Sequence, residues 1–255
     1  MSFRANPAEG PVLKAPPPYG TVVFDCDSTL SSIEGIEDLA LGREDEVRAL
    51  TDRAMSGELP IEAVYGARLD AIRPTADQVA GLGQRYLQTL LPNVHQLVAA
   101  LVFLEKRVCI VSGGLLPPVR EVGAALGLAV TDIFAVDIEF DAEGNYAGFE
   151  GDAPAARAGG KLEILRGIVG PGAAMALVGD GATDLEAAPA CARFIGFGGV
   201  VERPVVMAAA DARCTEPDFA ALAPLLLTED ELDRLARSNT HRPLAHAALG
   251  FPPIP

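Results

Sequence analysis

Apolar residues along this 255-residue chain gather in short runs that stop at acidic or glycine-rich tips. Val22, Val23 and Phe24 end at Asp25 and Asp27, Val108 to Val111 end at Ser112-Gly113-Gly114, and Ala176 to Val178 end at Gly179-Asp180. Short runs without polar alternation predict strands buried on both faces. Helix-like stretches lie near 94–106, 118–127 and 161–169. Strands alternating with helices predict an α/β fold, a Rossmann-like parallel sheet core with helices on both faces. Such sheets bind ligands beyond the carboxyl ends of their strands, where these polar tips fall.

The stretch 33–90 is too long for a strand-to-helix loop. It holds helix-like pieces over 44–55, 61–72 and 76–90, the last opened by a capping box of Thr75 and Gln78. A small helical cap domain, inserted directly after the Asp25 strand, is the expectation. The chain then divides into a flexible Pro-rich leader (1–18), the core (19–32 and 91–227), the cap (33–90) and a C-terminal segment (228–255). In that last segment Thr228 and Glu231 start a helix with Leu232 and Leu235 on one face, followed by a Pro-rich tail.

Charge narrows the partners. A net charge of -15 opposes binding to nucleic acid or to an anionic membrane. The longest clear apolar run, Leu97 to Leu104, is too short to span a bilayer, and the first residues lack a signal-peptide core. The four cysteines form no CxxC pair, which predicts reduced, mostly buried thiols in a cytoplasmic protein. A homodimer is the assembly considered, with no interface assigned.

Four motifs carry candidate chemistry. In the extended chain Asp25 and Asp27 point the same way, and Cys26 points away. Their repulsion is relieved by a proton or a cation, and Mg2+, which takes few carboxylates plus water and phosphate, suits the pair. A solvated acidic strand end is equally compatible with it. Ser112-Gly113-Gly114 before a proline-bearing helix offers backbone N–H groups and a hydroxyl to a phosphate, or makes a simple turn. Lys161, after Gly159-Gly160, sits at a helix start where its charge opposes the macrodipole, so it faces an anion or lies in solvent. Asp180 and Asp184 in Gly179–Glu186 form a hard-metal loop, and Thr183 with Glu186 could instead cap a helix.

The order of these motifs, DxDST, SGG, Lys and GDGATD, resembles the haloacid dehalogenase superfamily over roughly residues 20 to 226. It is most similar to the branch that hydrolyses O-phosphoserine, in the last step of serine synthesis. Glu34-Gly35-Ile36-Glu37, Leu50 to Met55, Arg68-Leu69, AGGK ending at Lys161 and FIGFGG over 194–199 carry that likeness. The resemblance implies a Mg2+-dependent phosphatase acting through a phospho-aspartate. Asp25 would be the nucleophile and Asp27 the acid and base. Mg2+ would rest on Asp25, the Asp27 carbonyl and Asp180, with Asp184 in support. Ser112, Gly113 and Lys161 would hold the phosphoryl group, and Glu34, Met55, Arg68 and Thr183 would bind the rest of the substrate. Leu115 stands where an aromatic is frequent in the family, and Asn93 where Gly is frequent. Alternatives are a phosphatase or phosphotransferase for another small phosphoester, or a catalytically silent phospho-ligand sensor.

Overall fold

The computed structural model describes residues 17–40, 42–43, 45–47, 49–50, 61–168 and 174–251. The leader up to residue 16, Met55, most of the expected helix over 44–55 and the last four residues lie outside them. In chain order the elements are β1 (Thr21–Phe24), α1 (Gly35–Leu39), α2 (Ile61–Ile72), α3 (Ala76–Gln88), α4 (Val94–Phe103), β2 (Arg107–Leu115) and α5 (Leu116–Ala125). There follow β3 (Ile133–Val136), β4 (Ile138–Phe140), β5 (Tyr146–Phe149), α6 (Gly160–Ile168), β6 (Met175–Gly179) and α7 (Ala182–Ala187). The rest are β7 (Arg193–Phe197), α8 (Pro204–Ala209), β8 (Ala212–Cys214), α9 (Glu229–Arg237) and α10 (Arg242–Ala248), with a short helical turn at Ala223–Leu226 before α9.

Six strands form one sheet in the order β3-β2-β1-β6-β7-β8, every pair parallel. The α/β, Rossmann-like core expected from the sequence is present. Pleating sends Val22 and Phe24 of β1 to one face with Val108, Ile110, Ala176 and Val178, and Val23 to the other with Cys109, Val111 and Leu177. Each face is sealed by its own apolar cluster, which explains why these strands read as unbroken apolar runs. All four cysteines are buried thiols outside any disulfide. No helix among the described residues is long and apolar enough to cross a membrane.

Connections run in opposite directions from β1, through β2 to β3 and through β6 to β8, so the topological switch lies at β1. Register matters at this point. Phe24 pairs with Ile110 on one side and Val178 on the other, which sets Asp25, the next residue, close to the level of Ser112 and of Gly179-Asp180.

The described residues between β1 and β2 are mostly helical. Its two ends run side by side: Ser31 bridges Leu90, the Ser32 N–H donates to the Thr89 carbonyl, and the Leu91 N–H donates to the Leu30 carbonyl. Helix α3 opens with the expected Thr75/Gln78 capping box and packs along α5. Gly83 makes that approach possible, since a Cβ there would lie 2.4 Å from the Glu121 carboxyl. The antiparallel hairpin β4–β5 reaches α2, where the Phe149 ring packs 5.3 Å from that of Tyr65.

Three elements depart from expectation. The strand β2 continues through Ser112-Gly113-Gly114 to Leu115, so the following helix begins at Leu116 rather than 118. Leu115 pairs with Val136 of β3, and that pairing carries the strand past its glycines. The C-terminal segment holds a second helix, α10, after the capped helix α9. It is tied to the core by Lys106, a buried ammonium that donates to the Tyr19 carbonyl at 2.9 Å and lies 2.5 Å from Glu231 of α9.

Candidate active site

The ends of β1, β2 and β6 converge on a buried polar cluster. Asp25 follows β1, and its N–H donates to the Val178 carbonyl of β6 at 3.0 Å, which fixes the backbone there. The chain then turns through Cys26–Leu30, with Ser28 in the left-handed region at φ 49. This turn brings Asp27 back beside Ser112, whose hydroxyl donates to Asp27 Oδ2 at 3.3 Å. The Ser112 hydroxyl also accepts from the Gly114 N–H at 2.9 Å.

Lys161, in the first turn of α6, extends into the cluster rather than into solvent. Its ammonium lies 2.9 Å from Asp25 Oδ2 and 2.6 Å from Asp184 Oδ1. Burial alone would lower its pKa, but the Asp184 and Asp25 carboxylates outweigh that and raise it. Burial also lifts Asp25 well above the usual carboxylate range, and the charge of Asp184 adds to the rise against the pull of Lys161.

Asp180 ends β6 and Asp184 sits in α7. The alternative cap by Thr183 and Glu186 is not formed. Gly181 is the N-cap, the Asp184 Oδ2 accepts from its N–H at 3.0 Å, and Glu186 accepts from the Gly159 N–H. Asp184 can lie this close to β6 because Gly179 has no side chain, a Cβ there falling 2.4 Å from the Asp184 carboxyl carbon. Thr183, next to it in the chain, is half-buried, and so is Gly113 of β2. Each of Asp25, Asp180 and Asp184 offers an oxygen within 4.8 Å of the others.

This donor set fits a hard divalent cation. All donors are carboxylate oxygens, and burial, followed by the charge of Asp184, raises the pKa of Asp180 as it does that of Asp25, the response of acids crowded together out of water. All three carboxylates are already in contact with donors: Asp25 with the Cys26 N–H and Lys161, Asp180 with the Thr29 hydroxyl and Arg203, and Asp184 with Lys161 and the Gly181 N–H.

On the other side, Asp27 Oδ1 accepts from the Gly35 N–H at 2.7 Å and from the Tyr86 hydroxyl at 2.5 Å. Burial, then the charge of Glu34, raises the Asp27 pKa to about 6 even though these two bonds favour its ionised form. Glu34 accepts from the Ser28 hydroxyl at 2.7 Å, and burial raises its pKa too. Arg68 projects from α2, 4.0 Å from Glu37, and its Nε is buried with no hydrogen-bond partner among the described residues. The same is true of the Tyr65 hydroxyl one helical turn away. Burial raises the Tyr65 pKa, and the Asp27 charge adds to that.

The structure therefore brings together Asp25, Asp27, Ser112, Lys161, Asp180, Asp184 and Glu34, with Arg68 on a neighbouring helix. Met55 falls outside the described residues. Three residues escaped the sequence reading. Arg203 donates to Asp180 at 3.0 Å and to Glu34 at 3.4 Å from the loop that follows FIGFGG, where an arginine alone carries no signal. Tyr65 and Tyr86 sit at apolar positions of their helices and read as core.

The chain belongs to the haloacid dehalogenase-like hydrolase family, which it matches over residues 22–189. Within that family it is 40% identical over 189 residues to phosphoserine phosphatase of Mus musculus, covering 72% of this chain and 84% of that protein. It is 39% identical to phosphoserine phosphatase of Homo sapiens over the same shares. A solved phospho-aspartyl intermediate analogue of phosphoserine phosphatase superposes with TM-score 0.69 at 25% identity, covering 82% of this chain and 99% of that one.

Proposed function

We propose that this hydrolase converts O-phospho-L-serine to L-serine and phosphate through a phospho-aspartate on Asp25, with Mg2+ as cofactor. The observation that carries this reading is the convergence of Asp25, Asp27, Ser112, Lys161 and Asp180 at the carboxyl ends of three adjacent central strands, in a chain 40% identical to a phosphoserine phosphatase.

Asp25 attacks phosphorus, and the bond to the serine oxygen breaks as Asp27 supplies its proton. Water then attacks the acyl phosphate, giving its proton to Asp27 and releasing Asp25. One hard displacement becomes two easier ones. A neutral acid is needed first and a base second, and an Asp27 carboxyl raised to about 6 is suited to both. Lys161, bonded to Asp25 and Asp184, would neutralise the transferring phosphoryl group, and Ser112 and the Gly113 N–H would hold its oxygens. Asp25, Asp180 and the Asp27 carbonyl would hold Mg2+, Asp184 holding Lys161 in place; the ion would offset phosphate charge when bound.

Glu34 would take the substrate ammonium, and the Arg68 guanidinium the carboxylate, through its two-pronged geometry. The helical segment 33–90 would act as a cap that excludes water during transfer. Its paired entry and exit strands at Ser31 and Leu90 support that reading.

The test is phosphate release from L-phosphoserine with Mg2+, against a panel of other phosphorylated metabolites and with acceptor alcohols, using Asp25→Asn as the blank. Selective release that the variant abolishes supports the proposal. Activity on other esters alone overturns the substrate assignment, and transfer to alcohols in place of water makes the chain a phosphotransferase.

A further inference from the structure

Tyr86 is fully buried on α3, on the same face as Val79 and Leu82. A buried phenol needs a hydrogen-bond partner, and the one it has is a catalytic candidate, Asp27, at 2.5 Å. Space for this contact is carved out by two glycines. A Cβ at Gly35 would lie 2.0 Å from the Tyr86 hydroxyl oxygen. One at Gly114 would lie 2.8 Å from Asp27 Oδ2 and 3.3 Å from the same hydroxyl.

We propose that Tyr86 is a positioning residue that divides the labour of the Asp27 carboxyl: its hydroxyl ties down Oδ1, so that the transferable proton resides on Oδ2 and faces the leaving oxygen. The inference rests on Asp27 being the acid and base of the reaction. Oδ1 already accepts two hydrogen bonds, from Tyr86 and from the Gly35 N–H, so a proton placed there would meet two donors. Oδ2 accepts only one, the longer bond from the Ser112 hydroxyl at 3.3 Å, whose hydrogen can rotate away, on the side where the phosphoryl group would be held. During phosphorylation the Oδ2 proton passes to the serine oxygen as the phosphorus–serine oxygen bond breaks and the phosphorus–Asp25 bond forms. In the second half a water proton returns to Oδ2 as the phosphorus–Asp25 bond breaks. Tyr86 keeps its own proton throughout. Because Tyr86 comes from α3 and Gly35 from α1, the helices between β1 and β2 set the aim of a carboxylate carried by the core.

Leaving-group dependence separates positioning from general structural damage. Serine leaves as an alkoxide and needs a proton, whereas acetate leaving from acetyl phosphate needs none. Tyr86→Phe keeps the ring and deletes the hydroxyl. It is expected to lower kcat/KM about tenfold or more on L-phosphoserine and by less than about threefold on acetyl phosphate. Gly35→Ala, which crowds the hydroxyl with Tyr86 in place, should give the same selective loss and serves if Tyr86→Phe folds poorly. Equal losses on both substrates, or no loss on phosphoserine, overturn the proposal. Asp27→Asn is measured alongside. If it lowers both substrates alike, the acid role of Asp27 falls and the proposal with it. A selective loss in Asp27→Asn together with an unselective one in Tyr86→Phe sinks the Tyr86 assignment alone.

Discussion

The two sides of the site are built differently. On the core side every charged group already has a partner: Lys161 bonds Asp25 and Asp184, Arg203 bonds Asp180, and the Gly181 N–H bonds Asp184. Apart from Arg203, which comes from a loop, these groups sit just past strand ends or in first helical turns. Across from them, α2 carries two buried polar atoms, the Tyr65 hydroxyl and Arg68 Nε, with no partner among the described residues. An unpaired buried polar group costs on the order of 1–3 kcal/mol, so a ligand that satisfies it gains accordingly. The side that would do chemistry is satisfied within the chain, while among the described residues α2, on the side that would recognise substrate, keeps polar atoms unsatisfied.

Substitutions can break that contrast at either side. The largest effect is expected from Asp25→Asn, a fall in kcat on the order of 10⁴-fold or more in a folded protein, read by steady-state phosphate release. Lys161→Met should follow, with kcat lower by about 10² to 10³-fold. It should also melt at lower temperature, because Asp25 and Asp184 lose their shared cation; an unchanged melting curve would show that the core side is less interlocked than the ion pairs imply. Arg68→Ala should act mainly on capture, raising KM for phosphoserine about 10 to 100-fold with a small change in kcat. A matching fall in kcat would place Arg68 with the chemical groups instead.

The smallest effect is a matter of pH. Asp27 rises from an ordinary 3.8 to about 6 in the folded state, so folding favours its protonated form. Its contribution to stability is full below about 3.8 and is lost as pH climbs through about 6. In metal-free protein Asp27→Asn should therefore melt a few degrees above the parent at pH 7.5, with the gap closing toward pH 4. Calorimetry showing a lower or equal melting temperature at pH 7.5 would mean that Asp27 is not strained by its burial.

Much of the core was legible because buried parallel strands leave unmistakable apolar runs, and because capping boxes at Thr75 and Thr228 mark their helices. Helix α2 falls where the pattern placed it, at 61–72. Even an apparent irregularity is explained. Asn93 adopts φ 61, a left-handed conformation that Gly takes freely and Asn tolerates, and its side chain donates to Asp218. Strands β3, β4, β5 and β8 are only three or four residues long and partly exposed, so no apolar run announces them; β3 and β8 pair with strands across an intervening helix, and β4 pairs with β5 across a tight turn. Tyr86 escaped for a subtler reason. Helical periodicity records which face is buried, not which polar atom meets which, and a tyrosine at an apolar position looks like filler until its hydroxyl is placed.

Lys106 has a consequence beyond the site. The segment after about residue 228 has no counterpart in the family resemblance, yet Glu231 supplies the counter-charge for an ammonium that is only 7% exposed. Removing that segment would strand a cation beside the strand that presents Asp25. The segment is thus a structural support of the core rather than trim, and cutting the chain before residue 228 is expected to lower its melting temperature.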